Sequence, residues 1–160
     1  MEPNNAYGKP LRFFDDVNEL LVEDLFLELV DHGEAWKQFT LKTWDVTHRG
    51  NEYRSLHRLY VEMNDLSEYA FANTYFYNFA HWDRVRKHPD IRPYYDTMRQ
   101  ELEAKLSTKA LSAMIAQVDS GTATQATLKF LANREYQLTQ SKQPKADLHN
   151  INEDLKRMQQ

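Results

Sequence analysis

Between Ile91 and Val118 apolar side chains recur at steps of three and four: Ile91, Tyr94, Tyr95, Met98, Leu102, Leu106, Ala110, Leu111, Met114, Ile115 and Val118. That spacing marks one face of an α-helix. Asp90 stands where a cap belongs, Pro93 fits the first turn, and Gly121 closes the far end. The stretch predicts a helix of about 28 residues, roughly 40 Å at 1.5 Å per residue. A small domain has no core long enough to cover such a stripe alone. TATQATLKFLANREYQLTQ then returns as a partner, with Ala126, Leu128, Leu131 and Tyr136 or Leu138 available for packing. Residues 93–140 therefore read as a helical hairpin. It either packs on the chain's own first helix or assembles with other copies. The stripe's length favours assembly through Leu102, Leu106, Leu111, Met114, Ile115, Leu128 and Leu131.

Just upstream lies LSEYAFANTYFYNFAHWDRVRKHPDIRP, which reads as a helix-turn-helix over about residues 67–88. Ser67 is the expected cap of its first helix, with Phe71, Ala72 and Tyr75 on one face, and the small Ala72 permits a close crossing. Asn78 is the expected cap of the second helix, where Trp82 and Val85 share the buried side. The tight turn falls at Phe76, a residue that disfavours positive φ, so Asn73 or Asn78 absorbs that dihedral or the turn is longer than usual. Asn78, Phe79, Ala80, Arg84, Arg86, Lys87, His88 and Arg92 are the candidate DNA contacts. From Arg84 to Arg92 there are four Lys/Arg against the single acid Asp90, which fits a helix approaching phosphate. A solvated face balanced by Asp83 and Asp90 is the plainer alternative.

Charge is divided in the same sense. Residues 1–80 hold 7 Lys/Arg and 14 Asp/Glu, whereas residues 81–160 hold 13 and 10. With a net charge of −4, nucleic acid is not bound by bulk attraction, and a local patch must supply the affinity.

The chain has no Cys, which excludes disulfides and thiolate metal sites. No apolar run reaches membrane-spanning length. Only 4 Gly and 5 Pro interrupt it, so an all-α fold with short connections is expected. Residues 1–12 read as a flexible arm, and residues 13–92 as a helical domain containing the helix-turn-helix. Its first helix is expected from Asp15 to Gly33, a second on Ala35, Trp36 and Phe39, and a third from Asn51 through Tyr53, Leu56, Tyr60 and Met63. Arg54, His57 and Arg58 on that third helix can reach phosphate or simply partner nearby acids. Residues 141–160 form a linker and a tail in which Leu148, Ile151, Leu155 and Met158 make a narrow seam suited to another protein's groove.

No catalytic constellation stands out: there is no phosphate-cradling Gly-rich loop, no Gly-flanked Ser and no zinc pattern. The carboxylates Asp24, Glu28 and Asp31 lack further ligands at metal spacing, and so do His48 and His57. The pairs His32 with Glu28 and His81 with Asp83 read as structural. The chain is taken as non-enzymatic, without cofactor or metal.

The order of parts resembles the small terminase subunits of tailed bacteriophages. In these a helix-turn-helix ending in a W…P.I..Y pattern leads into a helical hairpin closing on LK.L..R. Trp82, Pro89, Ile91 and Tyr94 match the first pattern; Leu128, Lys129, Leu131 and Arg134 match the second. The resemblance covers about residues 60–140. It implies a non-catalytic subunit that forms a homo-oligomeric ring, binds double-stranded DNA at the packaging site and recruits the large ATPase-nuclease subunit in the host cytoplasm. A dimeric helix-turn-helix transcription regulator and a helical adaptor that binds no DNA are the rival expectations.

Overall fold

A computed structural model describes residues 4–30 and 34–142, with side chains described over 4–30 and 35–133. Its elements in chain order are β1 (Phe39–Thr40), β2 (Val46–His48), β3 (Asn51–Ser55), α1 (Leu56–Met63), α2 (Tyr69–Tyr75), α3 (Phe79–Lys87), α4 (Arg92–Asp119) and α5 (Gln125–Lys142). The expected all-α fold is corrected: a three-stranded mixed sheet, ordered β1-β3-β2, precedes the helices. β2 and β3 are antiparallel, pairing Val46 with Tyr53, Thr47 with Glu52 and His48 with Asn51. β1 lies parallel to β3, with Phe39 opposite Arg54 and Thr40 opposite Ser55.

The sheet follows from local chemistry. Arg49 and Gly50 have φ of 49° and 82°, so both central residues of the β2–β3 turn are left-handed, as a tight hairpin requires. Val46, Thr47 and Tyr53 are β-branched or aromatic and suit a pleated surface. The third helix therefore begins at Leu56, where the Ser55 hydroxyl accepts from the Arg58 amide at 3.1 Å.

The first expected helix is also absent from the described residues. Residues 4–30 follow an irregular path with one 3-10 turn at Glu23–Leu25. One Asp15 carboxylate oxygen accepts from the Val17 and Glu19 amides at 3.0 and 2.7 Å, and Asn18 takes φ 69°. Such a side-chain turn competes directly with helix. Phe13 and Phe14 are both buried, as are Leu25 and Phe26, and consecutive buried pairs place this segment's apolar groups off a helical stripe. Leu27 donates its amide to the Phe39 carbonyl, so the path runs beside β1 instead. The expected second helix is likewise only a 3-10 turn at Glu34–Trp36 before β1. In residues 4–12 the Asn5 side-chain oxygen accepts from the Tyr7 and Lys9 amides, and its nitrogen donates to the Asp15 carbonyl.

The chain divides into two units, residues 1–108 and 109–160. The first holds the core, in which Leu25, Phe26, Leu56, Phe71, Phe76, Trp82, Ile91 and Leu102 are essentially sealed from solvent. The start of α4 docks on α1 in this unit. Lys105 Nζ donates to the Val61 carbonyl at 3.0 Å, and His57 Nε2 lies 2.5 Å from Glu101.

The second unit contains the end of α4 and α5. Gly121, at φ 72°, ends α4 with its amide on the Val118 carbonyl, while the Thr122 amide reaches the Gln117 carbonyl. Thr124 then caps α5 by accepting from the Thr127 amide at 3.2 Å. No described side chain from residue 109 to 133 is buried. Leu148, Ile151, Leu155, Met158 and His32 lie outside the described residues.

Candidate nucleic-acid interface

α2 and α3 are joined by Phe76, Tyr77 and Asn78. Phe76 resolves the turn in an unexpected way: it is extended at φ −124° and ψ 172°, and none of the three linking residues has positive φ. Its ring is spent on the core, 4.9 Å from the Trp82 ring centroid. Ser67 is not the cap of α2. That position belongs to Glu68, at φ 62°; the Ser67 hydroxyl accepts from the Tyr69 amide at 3.3 Å, and the amides of Ala70 and Phe71 donate to Asp65 at 2.8 and 3.2 Å. Asn78 caps α3 as expected, accepting from the His81 amide at 2.9 Å.

Glu68 is the centre that sequence reasoning missed. Its carboxylate is buried, with the whole residue 2% exposed. One oxygen accepts from the Tyr60 and Tyr95 hydroxyls at 2.6 and 2.7 Å and from Arg99 at 3.1 Å. The other accepts from the Trp82 indole at 2.8 Å and Arg86 at 3.1 Å. Burial opposes ionisation, but the bonds from Tyr60, Tyr95 and Trp82 and the Arg86 charge outweigh it and hold the carboxyl below its ordinary range. The same burial and the anion beside them push the Tyr60 and Tyr95 hydroxyls up. One side chain thus ties α1, α3 and α4 to the start of α2. The signal lay in two aromatic-to-Arg steps of four, Trp82 to Arg86 and Tyr95 to Arg99, each a single helix face aimed at one acid.

His81 is a second buried polar anchor. Its Nε2–H donates to the Leu21 carbonyl at 2.7 Å, and Nδ1 accepts from the Tyr77 amide at 3.3 Å. Burial holds it below its ordinary pKa, so it is neutral and clips the irregular N-terminal segment to α3.

The expected DNA contacts separate into two groups. Arg86 turns inward, between Glu68 at 3.1 Å and Asp83 at 2.6 Å, and is not presented to a ligand. His88 is half-buried and bridges to Glu23 at 2.6 Å. Asn78, Ala80, Arg84, Lys87 and Arg92 are exposed, and Phe79 is half-buried with its ring stacked on Tyr69. Arg84 has no ion pair among the described residues. Lys87 pairs with Asp83 at 2.5 Å and Arg92 with Asp96 at 2.8 Å. Exposed pairs of this spacing are worth only about 0.3–0.5 kcal/mol, so neither cation is strongly held by its carboxylate. On α1, Arg58 is engaged by Asp45 and Glu62.

The apolar hairpin positions divide similarly. Leu102 is buried in the core of the first unit and Leu106 packs against it, which removes Leu102 from the expected assembly face. Leu111, Met114 and Leu131 are half-buried, and Ile115 and Leu128 are exposed at 51% and 43%.

Glu23, His88 and Asp90 place three metal-ligating atoms within 4.8 Å of one another. The Asp90 amide points at His88 Nδ1 from 3.4 Å, which makes Nδ1 the acceptor and Nε2–H the donor to Glu23. A metal at Nε2 needs the opposite tautomer. Among the described residues no helix is long and apolar enough to cross a membrane. Comparison with protein-family models, curated proteins and solved structures finds no match to this chain.

Proposed function

We propose that the chain is a non-catalytic, self-assembling DNA-recognition subunit of the phage packaging type, acting in the host cytoplasm and recruiting a large ATPase-nuclease subunit. The observation that carries the reading is α3 itself. It is anchored beneath by a fully buried Trp82 and capped by Asn78, and it displays Ala80, Arg84 and Lys87 outward. Such a helix offers small and cationic side chains to a groove while its own packing keeps it rigid.

Assembly supplies what one copy lacks. Two or three available cations per subunit bind weakly, and several linked copies raise the effective affinity without new contacts. Support for assembly comes from residues 110–118, ALSAMIAQV, a charge-free stretch of α4 in which no described side chain is buried. A second copy is the occupant that fits a face repeated on every chain.

Arg84→Gln and Lys87→Gln test the DNA reading directly. Each is expected to weaken duplex retention and to lower the salt dependence by about one phosphate contact. Unchanged retention in both variants refutes it. Solution mass tests the assembly: a closed multimer larger than a dimer is expected, and a monomer refutes a ring.

A second reading has its own observation. Arg86 is sequestered, while Tyr69 and Tyr77 at the α2–α3 surface are exposed. A protein-binding adaptor uses that aromatic surface, and loss of partner without loss of DNA retention in Tyr69→Ala would favour it.

A further inference from the structure

We propose that a cleft of about 390 Å³ lined by Arg12, Gln38, Phe39, Arg54, Thr74 and Tyr75 binds a phosphate-bearing ligand. The cleft joins the N-terminal segment, the β1–β3 pair and the end of α2, and no residue of α3 lines it among the described residues. Among the described residues that line it, two are arginines and none is a carboxylate. The Arg54 guanidinium lies over the Tyr75 ring, 5.3 Å from its centroid, and Arg12 lies over Phe13 at 4.3 Å. Stacking occupies the faces of the Arg54 guanidinium and leaves its N–H edge, the fork that matches two phosphate oxygens. Arg54 makes no ion pair among the described residues; the nearby acid Asp45 is already held by Arg58 at 2.5 Å.

The neighbouring polar groups narrow the class. Gln38 uses one N–H on the Arg12 carbonyl at 2.5 Å and keeps its second hydrogen and its oxygen. The Thr74 hydroxyl donates to the Ala70 carbonyl at 2.7 Å, so toward a ligand it is an acceptor. A donor is therefore wanted on the ligand beside the anionic oxygens. The volume also exceeds what a bare ion fills, since a water occupies only about 30 Å³. A phosphate monoester on a hydroxylated group meets all three demands. The same chemistry comes from two sources, a free sugar phosphate or a sugar-phosphate unit of nucleic acid.

The test is amide-resolved NMR of the full chain titrated with adenosine 5′-monophosphate, with inorganic phosphate and with a short DNA duplex. Saturable shifts at Arg54, Thr74 and Tyr75 are expected with the nucleotide. Arg54→Gln should weaken nucleotide binding about tenfold, Arg54→Lys should fall between, and Arg84→Gln should leave the nucleotide-induced shifts at Arg54, Thr74 and Tyr75 unchanged. Because Arg84 belongs to the α3 surface, that last variant separates this cleft from the helix reading. Shifts at these amides with duplex but not nucleotide assign the phosphate to nucleic acid; the reverse assigns it to a small molecule. No saturable shift there with any probe up to tens of millimolar, or equal binding by a folded Arg54→Gln, overturns the proposal.

Discussion

Replacing Glu68 by Gln changes one heavy atom and removes one charge, yet the geometry makes it among the costliest single-atom changes in the chain. The carboxylate receives three donors on one oxygen and two on the other. An amide has one acceptor oxygen, and its nitrogen must face either the Trp82 indole and Arg86 or the Tyr60, Tyr95 and Arg99 group. The first choice is cheaper. It strands a buried indole N–H, which costs about 1–3 kcal/mol. It also leaves Arg86 without its buried counter-ion, a loss of about 3–5 kcal/mol when pairing is complete. Arg86 is 25% exposed at its side chain and keeps Asp83 and the Tyr95 hydroxyl, so the second figure is discounted steeply. A net loss of about 3 kcal/mol is expected, a large part of the ~5–15 kcal/mol that holds a domain together. Equilibrium guanidinium denaturation followed by far-ultraviolet circular dichroism, at one fixed protein concentration, measures it. Glu103→Gln is the control, because Glu103 pairs with Arg99 at 2.7 Å but is exposed. A Glu68→Gln loss below about 1 kcal/mol, or one equal to the control, refutes the reasoning.

Three further outcomes follow from the same packing. Trp82→Ala should cost about 3–5 kcal/mol by the same denaturation measurement, since the indole is fully buried among Phe71, Phe76, Tyr60 and Tyr95; a loss under ~1 kcal/mol would contradict that burial. Tyr53 is 2% exposed and its hydroxyl has no partner among the described residues, so Tyr53→Phe should be neutral or stabilise by up to about 1 kcal/mol, and a clear destabilisation would reveal a missed partner. Acid should act in two stages read by chemical denaturation across pH. His81 is held below its ordinary 6.5, so the unfolded chain takes the proton first and stability declines as pH falls below that value. Glu68 is held below its ordinary 4.5, and its contribution is lost further down by the same sign. A stability flat between pH 7 and 5 would refute the His81 part.

The long helix and its ending were legible because periodicity, Pro93 and Gly121 agree over many turns. The α2–α3 pair was legible from Trp82, Val85 and Asn78. The sheet was not read, although its signals were present as β-branched Val46 and Thr47 before Arg49-Gly50, because Phe39 and Trp36 also fit a helical stripe. Residues 13–30 misled more deeply. Their apolar side chains are dense enough to match any period, and the Asp15 turn that decides the path acts through a side chain. In the candidate interface, sequence supplied which residues are cationic but not which way they turn. Arg84 and Arg86 differ by two positions, about 200° around a helix, and Glu68 takes Arg86. An acid eighteen residues away in sequence gives no local sign of that choice.

The bonds to Glu68 span 8, 14, 18, 27 and 31 positions. They can all close only after three helices have met, so they are expected to form late, after the folding barrier. Their loss then falls on the rate of opening rather than the rate of closing. A carboxylate placed this way acts as a late latch, and it lengthens the lifetime of the folded chain more than it speeds arrival there.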